Sequence, residues 1–154
     1  MKKQEIKPFT EDELRRIADE LDSGFQCFWN ITNNDLVFIP DPDRFPDDDH
    51  EIEKVWKDDL TKVKKNKKNI VVIECLDSHQ SFEIMSDFVE SLETGNVLAP
   101  LLRAALRENK PFNKFKFVID NSGDYREKWF SFKTQWLKDY VKGQAELMTG
   151  GEIG

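Results

Sequence analysis

Glu74-Cys75-Leu76-Asp77-Ser78-His79 is the densest run of reactive groups in this chain of 154 residues. A thiol, a hydroxyl, an imidazole and two carboxylates lie between an apolar stretch and an amphipathic one. Where a strand end feeds a helix N-terminus, ligands bind and an anion is stabilised. Cys75 or Ser78 as nucleophile with His79 as base is the chemistry such a run could support. The spacing opposes it. Cys75 points inward if the strand alternates, and sequence neighbours rarely present a nucleophile to its base. The plainer reading makes Cys75 core, Asp77 or Ser78 the helix cap and His79 a first-turn surface residue. An enzyme or metal protein centred on Glu74, Asp77, His79 and Glu83 is the weakest of three functional readings.

Two further acidic groupings fare no better. Glu83, Asp87 and Glu90 share one outer helix face and could hold a proton or a divalent cation only with a further ligand, to which nothing points. The stretch 41–53 has the composition of a calcium loop but lacks the Asp-x-Asp-x-Asp-Gly order, and prolines interrupt it. No glycine-rich phosphate loop, Cys-x-x-Cys, His-x-x-x-His or nucleophile elbow occurs. Two cysteines and two histidines are a poor metal inventory, so the sequence calls for no cofactor and no metal.

The remaining constellation is aromatic. Tyr125, Trp129, Phe132, Trp136 and Tyr140 recur at helical spacing, with Phe130, Leu137 and Val141 about 100° round the same helix. Arg126 and Lys133 lie near the middle of that apolar arc. So wide an arc either packs against two neighbours or leaves rings for a partner. Core packing, with the two cations snorkelling past the rings, is the first expectation.

The elements that must carry these groups follow from periodicity and caps. Thr10 and Glu13 form a capping box before Leu14, Ile17, Ala18 and Leu21, which predicts helix 11–22. Phe25, Cys27, Trp29 and Ile31 alternate as a strand, Asn33-Asn34 suits a tight turn, and 36–39 returns as a second strand. Pro40, Pro42 and Pro46 make 40–49 an acidic surface loop. Ile52, Val55, Trp56, Leu60 and Val63 predict helix 50–64, and the β-branched run 70–76 a buried strand. A helix follows to Gly95 with Phe82, Met85, Val89 and Leu92 inward. Asn96 caps another through Asn109, with Leu98, Leu101, Leu102, Ala105 and Leu106 inward. Pro111 opens a short one with Phe112, Phe115 and Ile119, and a long one spans 124–146. Three strands with six or seven helices predict an α+β domain: a small antiparallel or mixed sheet and a predominantly helical C-terminal half.

Composition bounds the rest. The length suits one domain over 1–148 with a flexible tail at 149–154. No apolar run approaches the roughly 20 residues of a membrane span, and the N-terminus does not read as a signal peptide. The net charge of -7 hides an asymmetry: residues 1–102 carry 13 Lys/Arg against 23 Asp/Glu, and residues 103–142 carry 10 against 5. Overall acidity opposes non-specific nucleic-acid binding, although a basic face could act locally.

Phe82-Glu83-Ile84-Met85-Ser86-Asp87-Phe88, Leu101-Leu102-Arg103-Ala104-Ala105-Leu106, Lys110-Pro111-Phe112-Asn113-Lys114-Phe115-Lys116 and Trp129-Phe130-Ser131-Phe132 occur in that order. This half of the chain, about 70–142, resembles the uncharacterised protein family 0158, a set of small bacterial proteins. The proline-and-aspartate loop is a local elaboration, and the end of the last helix departs from the family's pattern. The resemblance implies a bacterial, cytoplasmic small domain and no activity, ligand or catalytic residue.

The expectation is therefore a non-enzymatic protein that acts by macromolecular interaction, most simply with another protein. Arg103, Arg107, Lys110, Lys114 and Lys116 would form the basic side of its surface. Whichever of Phe117, Phe130 and Trp136 stay exposed would be its anchors. An RNA-binding protein using the same face is the alternative.

Overall fold

Thr10 stops the chain from fraying into the first helix by reciprocal bonds: its hydroxyl accepts from Glu13 N–H at 3.1 Å, and the Glu13 carboxylate accepts from Thr10 N–H at 2.9 Å. The computed structural model describes residues 9–45, 49–93 and 95–149. The predicted tail beyond residue 149 and the centre of the acidic loop, 46–48, lie outside them. Two compact units divide the chain: residues up to Cys75 together with those from Leu137 onward, and residues Leu76–Trp136.

In the first unit, α1 (Glu11–Asp22) precedes the hairpin β1 (Phe25–Asn30) and β2 (Leu36–Pro40). Then come α2 (Asp49–Val55), α3 (Lys57–Lys65) and β3 (Ile70–Ile73). The strands form an antiparallel sheet in the order β2-β1-β3, with Cys27 opposite both Phe38 and Ile73. Strand alternation sends Cys27 and Trp29 to one face, where they meet Leu14, Ile17 and Leu21 of α1. Val141 and Ala145, from the last helix, belong to the same core. Each buried leucine, isoleucine or valine of this core contributes roughly 1.5–3 kcal/mol by leaving water. Alternation sends Gln26, Phe28 and Ile39 to the other face, beside α3.

The hairpin turn is built from three asparagines. Asn30 Oδ1 accepts from Thr32 N–H at 3.0 Å, and Asn33 Oδ1 accepts from Asp35 N–H at 2.9 Å. Asn34 takes the left-handed conformation (φ 66°) and accepts the Trp29 indole N–H at 2.7 Å. The sequence's tight turn is thus also the partner of the largest buried ring.

Two elements of the first unit differ from expectation. The predicted helix 50–64 bends at Trp56, which leaves helical geometry (φ −101°, ψ 22°) and packs edge-on against Phe25 at 6.0 Å. Ile52 is buried, but Val55, expected inward, is 63% exposed. The strand expected over 70–76 ends at Ile73. Past that point the Glu74 carbonyl accepts from the Tyr140 hydroxyl at 3.1 Å, so the chain leaves the sheet.

The second unit contains α4 (Ser78–Ser91), α5 (Leu98–Leu106), α6 (Pro111–Asp120) and the start of α7 (Tyr125–Met148), whose later turns belong to the first unit. Asp77 caps α4 in a second capping box with Gln80, resolving the choice between Asp77 and Ser78. Asn96 Oδ1 accepts from Leu98 N–H at 2.8 Å at the head of α5, as its position predicted. That helix ends at Leu106, short of Asn109. Pro111 disfavours helical geometry in the residue before it, and Lys110 turns left-handed (φ 55°). The core is aromatic at its centre: Trp129 meets Phe115 at 4.9 Å and Phe88 at 5.3 Å, both edge-on. The buried face of α4 is Ile84, Met85, Phe88 and Val89, with Phe82 and Leu92 only half-buried. Helices make up the C-terminal half and the sheet is small, so the α+β class is as expected. Among the described residues no helix is long and apolar enough to cross a membrane.

Candidate interaction surface

The run at 74–79 is spent on structure. Asp77 caps α4, His79 and Glu83 are exposed, and Cys75 is buried with its thiol donating to Asp41 Oδ2 at 3.3 Å. Burial, and then that hydrogen bond, push the Cys75 thiol up to about 11. A thiol so held is a poor nucleophile. Of the three acids on α4, Asp87 accepts the Trp136 indole N–H at 3.1 Å and Glu90 pairs with Arg103 at 3.7 Å. Among the described residues no three His, Cys, Asp or Glu side chains gather as a metal-holding group.

The predicted surface residues are distributed by helix α6. Its buried residues are Phe115 and Ile119. At about 100° per residue, Phe112, Lys116 and Asp120 form one outward row, while Lys114 and Phe117 form another. Lys114 and Lys116 therefore point to different sides. Phe117 is 70% exposed, Phe130 45% and Phe112 41%. Phe112 was expected inward, together with Leu101, which is also exposed.

Asp120 joins the first row to α7. Its Oδ1 accepts from Arg126 Nε at 3.3 Å, and the Arg126 guanidinium lies over the Phe130 ring at 5.1 Å. Lys116, Asp120, Arg126 and Phe130 thus form a continuous strip, with Phe112 one turn before Lys116 on its row. Phe117 flanks the strip on the outer side of α6. The other predicted members stand apart. Arg103 is paired with Glu90, and Lys114 with Glu108 at 3.9 Å. Arg107 and Lys110 are exposed. Trp136 is half-buried with its indole N–H engaged by Asp87, so it is no free anchor.

Phe112 was the residue missed. The signal was its i, i+4 spacing to Lys116 and Asp120, a mixed row unsuited to a core. Apolar type alone does not place a residue that opens a short helix inward.

A family model described as Uncharacterised protein family (UPF0158) matches residues 12–143. No curated protein and no solved structure matches the chain. The chain belongs to that uncharacterised family.

Proposed function

We propose that this member of family UPF0158 is a non-enzymatic interaction protein of the bacterial cytoplasm, and that α6 with the start of α7 is where another protein docks. One observation carries the reading: α6 has rings on both sides, Phe115 at 2% exposure inside and Phe117 at 70% outside. An exposed phenylalanine contributes nothing to folding, whereas at an interface an aromatic anchor carries a large share of the affinity. Lys116, its neighbour on α6, fits a partner with an apolar patch flanked by a carboxylate.

The test is affinity capture of the tagged chain from a lysate of its own cells, with and without nuclease, comparing wild type with Phe117→Ser and Phe130→Ser. A hot-spot ring is worth about 2 kcal/mol or more, so each variant lowers recovery of the partner by about 30-fold. Recovery that survives nuclease and moderate salt supports the reading. Recovery abolished by nuclease identifies RNA as the ligand and overturns it, as does recovery indifferent to both rings.

A further inference from the structure

The first unit has a binding feature of its own, independent of α6. The sheet face opposite the α1 core is only partly covered by α2 and α3, and between them lies an open groove of about 580 Å³. Its floor is apolar: Phe28 and Ile39 from the sheet, Ile52 from α2 and Leu60 from α3. Lys57 and Lys64 both line it. They are seven residues apart, so they stand two turns, about 10 Å, apart along one side of α3.

Neither lysine forms an ion pair among the described residues, although Lys62 of the same helix is held by Asp35 at 3.5 Å. The Gln26 side chain, which also lines the groove, makes no hydrogen bond among the described residues. Among the described residues that line the groove, Glu53 is the one carboxylate.

From these features we infer that the groove binds a small amphipathic carboxylate, free and monomeric, with its apolar body on Phe28, Ile39 and Leu60 and its acid head between Lys57 and Lys64. The volume lies within the roughly 300–1,000 Å³ of small-molecule sites. Charge decides the head group: two cations without an ion-pair partner among the described residues favour an anion. Charge also limits it, because a polyanion such as RNA would set further phosphates against Glu53. A single acid head meets the lysines and leaves the chain of its ligand on the floor.

Dodecanoate below its micellar concentration, titrated calorimetrically into the full chain, tests this. The comparison ligands are dodecyltrimethylammonium and dodecanol. Saturable binding at one site, strongest for the carboxylate, is expected. The double variant Lys57→Glu/Lys64→Glu, at two exposed positions, should weaken dodecanoate by about tenfold or more and strengthen the cationic amphiphile. Circular dichroism confirms that the variant is folded. Equal binding of anion and cation, binding unchanged by the double variant, or no binding at about 1 mM ligand overturns the inference. So does binding to phosphatidylglycerol vesicles without binding to the monomer.

Discussion

Phe115 and Phe117 are two residues apart on one ten-residue helix, and replacing each by alanine separates what holds the second unit together from what its surface is for. Phe115 is buried, with its ring edge-on to Trp129 at 4.9 Å. Losing a buried Phe ring costs about 3–5 kcal/mol in transfer and cavity terms, of which the ring pair accounts for roughly 0.5–1.5. Against a total stability of roughly 5–15 kcal/mol for a chain of this kind, Phe115→Ala removes about a fifth or more. Phe117→Ala removes a ring already in water, so its cost is within about 0.5 kcal/mol. The better helix propensity of alanine pushes the same way, toward zero or slight stabilisation. Urea unfolding followed by tryptophan fluorescence gives the midpoints, and native-state hydrogen exchange assigns each loss to its own unit. A penalty above about 1 kcal/mol for Phe117→Ala would mean that the ring is covered in solution, and the docking face would be lost with it. A penalty below about 1 kcal/mol for Phe115→Ala would place the core elsewhere.

Asn34 and the thiols offer independent checks on the first unit. Asn34→Gly keeps the left-handed backbone but leaves the Trp29 indole N–H without its acceptor, at about 1–3 kcal/mol. Asn34→Ala adds about 1 kcal/mol of backbone strain, so thermal melts should rank wild type above Gly and Gly above Ala. If Ala equals or exceeds Gly, the turn is not built this way. Burial raises the Cys27 thiol from 9.0 to about 12, so the folded state keeps the neutral form. That stability is fully present below pH 9 and is lost as pH rises through 12, the folding equilibrium falling about tenfold per pH unit between them. Cys27→Ala should flatten the slope. Iodoacetamide at pH 8 should label neither cysteine until urea is added, and labelling at the rate of a free thiol in native buffer would contradict the burial.

Features written within four residues of themselves were legible in the sequence. Thr10 with Glu13, Asp77 near Gln80, Asn96 and Pro111 each announce a helix start through a local bond or a missing one, and the helices begin there. Features set by distant partners were not. Trp56 bends its helix toward Phe25, thirty-one positions away, and β3 ends where Tyr140 takes the Glu74 carbonyl. On α5 the assumption that every leucine faces inward failed for Leu101. Ala99, Leu102 and Ala105 are buried on that helix at three-residue spacing, so its contact face is one leucine between two alanines, and Leu101 is turned out.

The surface shows the same limit, with a functional consequence. The excess of positive charge over 103–142 is a property of the segment, but a helix spreads successive residues over all its faces, and neighbouring acids take several of the cations. Arg103 goes to Glu90, Lys114 to Glu108, Arg126 to Asp120, and Lys138 to Glu11 at 3.2 Å. Each exposed pair is worth only about 0–1 kcal/mol. Together, however, they leave Lys116 as the cation on the α6 strip whose charge is not already answered there. A nucleic-acid backbone laid along that strip would meet Lys116 and, one turn later, the carboxylate of Asp120. Neutralising one or two phosphates gives a salt slope of no more than about −2, too shallow for a complex driven by counterion release. Phe117 and, in part, Phe130 present their rings to water whatever the ionic strength, so the docking proposed for this face would rest on apolar contact, which is the physical ground for preferring a protein partner to RNA.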